Sequence, residues 1–111
     1  MAAAKKERII DILEEISAIH SPTGFTYNVL THIEKMLKKA GIKTRYTNKG
    51  ALIACNHPKP EIAVAGHIDT LGLMVREIRG DGQLGFTRLG GPLLPAFEGK
   101  TVRIFTAAGK K

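Results

Sequence analysis

Apolar residues recur along the first third of the chain at three- and four-residue steps. Ile9, Ile12, Leu13, Ile16 and Ile19 form one series between Lys5 and Ile19, with Glu7, Asp11, Glu14 and Glu15 opposite. That is the pattern of an amphipathic helix that buries one stripe. The run ends at His20-Ser21-Pro22-Thr23-Gly24, where Pro22 biases Ser21 away from the helical region and Gly24 allows a turn. A second helix is predicted from about Thr26, with Val29, Leu30, Ile33, Met36, Leu37 and Ala40 inward and Gly41 as a left-handed cap.

After Gly41 the period changes from 3.6 to 2. Ile42, Thr44 and Tyr46 alternate with Lys43, Arg45 and Thr47, as in a half-buried strand. Asn48-Lys49-Gly50 is a turn signal, and Ala51–Cys55 reads as a second strand. Two prolines keep Asn56–Pro60 out of any ladder. Glu61–Ala65 reads as a central, buried strand running into Gly66-His67-Ile68-Asp69. Leu73–Ile78 and Gln83–Arg88 flank Gly80-Asp81-Gly82 as a hairpin. Gly90-Gly91-Pro92 breaks that run, Lys100–Thr106 reads as one more strand, and a turn begins over 107–111. The composition shift near Leu71 divides the chain into an α/β part, residues 1–70, and a β-rich part, residues 71–111. The expected fold class is α/β: two helices with a mixed sheet, leading into an incomplete β domain.

Composition narrows the classes. Leu, Ile, Val and Phe make up 30 of 111 residues, above the roughly 20% below which chains stay disordered. The sequence has no apolar run of the ~18 residues that cross a bilayer and no apolar signal core, so a cytosolic setting without membrane partners is the expectation. The single Cys55 excludes an internal disulfide framework. A net charge of +7 raises nucleic acid or an acidic protein surface as partners, and a basic, non-catalytic binding module is the alternative function. Against it, the excess is concentrated in Lys35, Lys38, Lys39, Lys43, Arg45 and Lys49 on a helix face and loop, with only Tyr46 among them as a stacking platform.

The strongest chemical signal is His67-Ile68-Asp69 at the carboxyl end of the expected central strand, where open α/β sheets place their active sites. Residues two apart on a strand point to one side, so His67 and Asp69 can converge. A neutral imidazole ligates zinc or cobalt, and a carboxylate on its other nitrogen fixes the tautomer. Equally, His67 can be a loop histidine with an ordinary hydrogen bond. Gly99-Lys100-Thr101 is no phosphate loop, because Leu94 stands where the first glycine is required. His20, His32 and His57 read as helix-end, helix-surface and loop residues, and Cys55 as a small hydrophobe.

The ordered run Ala65-Gly66-His67-Ile68-Asp69-Thr70-Leu71-Gly72-Leu73-Met74-Val75, then Gly80-Asp81-Gly82 and Leu89-Gly90-Gly91, resembles metallopeptidase family 42. Ser21-Pro22-Thr23-Gly24, Thr47–Ala54 and Glu98–Ile104 extend the likeness over nearly the whole chain. The family comprises cocatalytic two-metal aminopeptidases, including glutamyl and tetrahedral aminopeptidases, some of them named cellulases. The resemblance implies that His67 is a metal ligand and Asp69 the catalytic-site carboxylate that orients it. It also implies two divalent ions, zinc or cobalt, in full-length members, peptide substrates, and a β-barrel dimerisation domain beginning near Leu71. Thr70 stands where many members carry glutamate.

Members of the family are roughly three times as long, or one to two ordinary domains. A two-metal site needs several carboxylates and imidazoles, yet after Asp69 only Glu77, Asp81 and Glu98 remain as acids and no histidine follows. The expectation is therefore a truncated member holding at most a partial metal site. It would be inactive alone, and would self-associate or pair with a complementing carboxyl-terminal segment.

Overall fold

A computed structural model describes residues 2–107; the turn expected over 107–111 lies, beyond Ala107, outside them. Helix α1 spans Ala2–Ser17 and α2 spans Tyr27–Lys39. Strands β1 (Thr44–Tyr46) and β2 (Leu52–Ala54) form one antiparallel pair, with Arg45 opposite Ile53. Strands β3 (Gly72–Ile78) and β4 (Leu84–Leu89) form another, and a 3₁₀ turn occupies Leu94–Phe97. The architecture is a mixture of helices and antiparallel sheet.

Helix α2 is the hub. It ends where Gly41 turns left-handed at φ 76, and Ile42 N–H returns to Leu37 O at 3.0 Å, closing the carbonyls of the last turn. One acid on its surface then gathers the next strand. The Glu34 carboxylate accepts from Lys38 at 2.8 Å, Thr44 Oγ1 at 3.1 Å and Tyr46 Oη at 3.3 Å. These bonds hold it below the usual carboxylate range, Lys38 contributing most and partial burial opposing. Asn56 brackets the far side: its Oδ1 accepts from Lys43 N at 2.7 Å and its Nδ2 donates to Gly41 O at 3.1 Å.

The β3–β4 hairpin closes locally. Arg79 N donates to Gln83 O at 2.8 Å, Asp81 Oδ1 accepts from Gln83 N at 3.0 Å, and Gly82 takes the positive φ of 83 that the turn requires. A bulge at Arg76 shifts the register, so that Val75 faces Phe86 and Glu77 faces Gly85.

Four expectations are corrected. There is no mixed sheet among the described residues: the pairs are separate, and the one parallel contact is the isolated bridge Pro22–Thr70. Glu61–Ala65 makes no ladder and is not buried, with Ile62 at 83% and Val64 at 97% exposure. A central strand needs a partner on each edge, and no described segment pairs with it. Lys100–Thr106 likewise runs without ladder bonds; Arg103 and Phe105 instead tie it to the first loop, through His20 Nε2 at 2.7 Å and the Phe25 ring at 5.0 Å. Finally, the stripe of α1 is only partly covered, Ile9 and Leu13 remaining about two-thirds exposed. The β-rich part is a two-stranded ladder, not a closed barrel, among the described residues.

Among the described residues the fully buried side chains are Val29 and Ser21. The accessible surface of 9678 Å² exceeds the ~6,000 Å² usual for this mass. The radius of gyration, 17.8 Å, likewise exceeds the ~13 Å of a compact domain this long.

Candidate functional site

Two loops distant in sequence meet at the site. Ser21–Gly24 follows α1, and Gly66–Thr70 precedes β3. Ser21 is 2% exposed, because its hydroxyl donates to Ile68 O at 2.9 Å while its carbonyl accepts from Thr70 N at 2.8 Å. Pro22 bridges Thr70 in parallel fashion and lies close over Gly72, where an added Cβ would fall 2.6 Å from Pro22 Cβ. The contact requires glycine at 72.

On this frame His67 and Asp69 come together. His67 Nδ1 lies 3.1 Å from Asp69 O and 3.2 Å from Asp69 Oδ1. A carbonyl and a carboxylate oxygen can only accept, so Nδ1 carries the hydrogen and, in the neutral ring, Nε2 keeps its lone pair. The His67 side chain is 86% exposed, which leaves that nitrogen open to a ligand. The second carboxylate oxygen, Oδ2, accepts from the Thr23 hydroxyl at 2.6 Å. The Thr23 bond, then the residue's own backbone and the His67 ring, lower the Asp69 pKa against partial burial.

Thr23, His67 and Asp69 line two adjoining clefts. One, of about 490 Å³, extends along the apolar face of α2 past Leu30, Ile33 and Leu52. The other, of about 560 Å³, opens toward Thr70, Leu71 and Gly90.

The remaining sequence candidates do not join this constellation. Arg103 donates to His20, His32 Nε2 lies 3.0 Å from Glu15 Oε1 across the two helices, and His57 Nδ1 accepts from Lys59 N. Cys55 Sγ–H donates to His57 O at 3.2 Å. Tyr46, the stacking candidate, has its hydroxyl on Glu34. Among the described residues no three His, Cys, Asp or Glu side chains converge as a metal-binding group, so the fit to a metal is that of a single nitrogen ligand. Thr23 is the site residue that motif reading passed over. Its signal was the turn sequence Ser21-Pro22-Thr23-Gly24, which places two hydroxyls beside a chain reversal.

The chain is similar to three curated aminopeptidases. It is 38% identical over 106 residues to "Putative aminopeptidase YhfE" of Bacillus subtilis (strain 168), a match covering 93% of this chain and 31% of the relative. It is 27% identical over 107 residues to the glutamyl aminopeptidase of Lactococcus lactis subsp. cremoris (strain MG1363), covering 93% and 30%. A shorter match, 38% over 52 residues, joins it to the lysyl aminopeptidase of Pyrococcus furiosus, covering 47% and 15%. The chain thus spans about a third of the length of the first two. The model of the M42 glutamyl aminopeptidase family matches residues 50–111, more than half of the chain and the whole of the Gly66–Thr70 loop. On that match, supported by relatives that carry it back through the first loop, the chain belongs to the M42 glutamyl aminopeptidase family.

Proposed function

We propose that this chain supplies part of the active site of a metal-dependent aminopeptidase, with His67 Nε2 as a metal ligand and Asp69 as the carboxylate that orients the ring. The observation that carries the reading is the pair of acceptors on His67 Nδ1, which in the neutral ring leaves Nε2 as the lone-pair nitrogen of an exposed side chain beside two clefts. A divalent ion, zinc or cobalt in this reading, supplies Lewis acidity when bound and polarises a scissile carbonyl. The chain's own contribution is to present one nitrogen in a fixed tautomer and to keep Asp69 ionised beside it. Peptides are the proposed substrates, released one residue at a time from the amino end. Residues 1–70 would belong to the catalytic domain and residues 71–111 would begin a β-rich dimerisation domain. In this reading the chain forms homo-oligomers or pairs with a complementing carboxyl-terminal segment, and it works in the cytosol.

A cooperative two-metal site needs three or more protein ligands per arrangement, whereas one nitrogen is in place here. The 111-residue chain alone is therefore proposed to be inactive. The test is to assay it on aminoacyl-anilides with zinc or cobalt, alone and fused to the part of the Bacillus relative beyond the match. The expected result is no turnover alone and metal-dependent turnover in the fusion, cut by about 10³-fold or more in His67→Ala. Turnover by the chain alone, or a fusion indifferent to His67, would sink the proposal.

A further inference from the structure

We propose that Thr23 is a positioning residue for the His67–Asp69 pair: its hydroxyl sets the rotation of the Asp69 carboxylate and thereby the tautomer of His67. The inference rests on the pair assigned under the proposed function, and extends it to a residue 46 positions away in sequence.

The carboxylate has two oxygens and two tasks. Oδ2 is taken by Thr23 at 2.6 Å, a short, charge-assisted bond; Oδ1 faces His67 Nδ1 at the longer 3.2 Å, where it reinforces the Asp69 carbonyl at 3.1 Å. The terminal torsion of aspartate is broad and nearly two-fold, so the side chain has little rotational preference of its own. The shorter bond therefore selects the rotamer, and the longer one follows from it. Without the hydroxyl, Asp69 Oδ1 is free to swing toward water, since the imidazole is almost wholly exposed and offers little packing to oppose it.

Thr23 is well placed to act as the fixed end. It is β-branched and stiff at χ1. Its loop is fastened to the same chain segment by three contacts that do not involve Asp69: Ser21 Oγ to Ile68 O, Thr70 N to Ser21 O, and Pro22 against Gly72. The hydroxyl thus belongs to a frame that also fixes the backbone on either side of Asp69. Thr23 itself is exposed, so replacing it removes a bond without opening a core.

The experiment uses the 111-residue chain labelled with ¹⁵N, at a pH where His67 is neutral. Two-bond ¹⁵N–¹H correlations of the imidazole report directly which ring nitrogen holds the hydrogen. In the unaltered chain Nδ1 is expected as the protonated, pyrrole-type nitrogen of His67. In Thr23→Val the ratio of the Nδ1–H to the Nε2–H tautomer is expected to fall about 3- to 10-fold, the ratio a net hydrogen bond is worth. Thr23→Ser, which keeps the hydroxyl, should restore it, with the β3–β4 amide shifts unchanged in all variants. An unchanged ratio in Thr23→Val would overturn the proposal, and so would an equal loss in Thr23→Ser. Asp69→Ala, which takes the side-chain acceptor away and leaves only the backbone carbonyl on Nδ1, separates the two readings. If it leaves the His67 tautomer untouched, the His67–Asp69 pair fails and Thr23 with it; if it shifts the tautomer while Thr23→Val does not, only the role of Thr23 falls.

Discussion

Up to Thr70 the described chain encloses Val29 and Ser21 completely and closes on itself through contacts between distant residues, Glu34 with Tyr46 and Ser21 with Ile68. After Thr70 it is held mainly by a ladder between neighbours, β3 with β4, around a connection of five residues, while Met74, Val75, Ile78 and Phe86 remain exposed. Both parts are rich in apolar residues. The difference lies in where the partner of each segment sits. A hairpin carries its partner with it; an apolar segment such as Glu61–Ala65 does not, and Val64 stays 97% exposed despite its high strand propensity. Apolar character creates a demand for burial, and proximity in the chain decides whether it is met.

The largest effect should come from making one chemical change in the two settings. Val29→Ala removes two methyl groups from a fully buried site and should cost about 2 kcal/mol, read as a lowered urea midpoint. Val64→Ala removes the same groups from an exposed one and should stay within about 0.5 kcal/mol. Similar losses at both positions would end the distinction between enclosed and exposed positions.

Next in size is the junction. Ser21→Ala leaves the Ile68 carbonyl without its 2.9 Å donor in a part-buried setting, at a cost of about 1 kcal/mol. Amide exchange at Thr70, whose N–H donates to the Ser21 carbonyl, should quicken. An unaltered Thr70 rate would mean that the two loops are not joined through Ser21.

In the hairpin, Gly82→Ala forces a side chain onto a backbone at φ 83 and should cost about 1 kcal/mol. The Arg79 amide, bonded to Gln83 O across the turn, should exchange faster while the β1–β2 amides hold their rates. If β1–β2 amides quicken equally, the parts unfold as one unit.

The smallest effect is electrostatic and belongs to the first part alone. The Glu34 pKa is lowered from the ordinary 4.5 by Lys38 first, then by Thr44 and Tyr46. The native state therefore favours the carboxylate. The stability this gives is complete above the ordinary value and is lost as pH falls from there through the lower folded value. Glu34→Gln should flatten the midpoint against pH below about 5 without changing hairpin exchange. A slope that survives the substitution would place the titration elsewhere.

Both helices, the β1–β2 pair and the β3–β4 hairpin were legible because their signals are local: a 3.6 period in Val29–Ala40, alternation from Ile42 to Thr47, glycines at the turns. Gly41 took the left-handed cap its position indicated. Glu61–Ala65 was misread for a physical reason, since the same apolar run describes a paired strand and an extended segment awaiting partners. The meeting of His67 and Asp69 followed from their spacing and survives outside a ladder, because the i, i+2 contact needs only an extended backbone. Thr23 was not legible as their neighbour, because nothing in its own surroundings points 46 residues ahead. Ser21 was read as a helix stop, and that it also fastens Ile68 emerged only in three dimensions.

The large accessible surface has a calorimetric consequence. A fully extended chain of 12.0 kDa exposes about 17,400 Å² on the usual scaling. With 9678 Å² still accessible, folding removes roughly two-thirds of the area that an ordinary domain of this mass removes. Heat capacity and heat of unfolding both follow that area, so the increment should be near 1 kcal/mol/K rather than the ~1.5 usual for this length. A scan of this chain should therefore give a low, wide endotherm and a stability curve that bends gently with temperature. Its denaturant dependence should be correspondingly shallow.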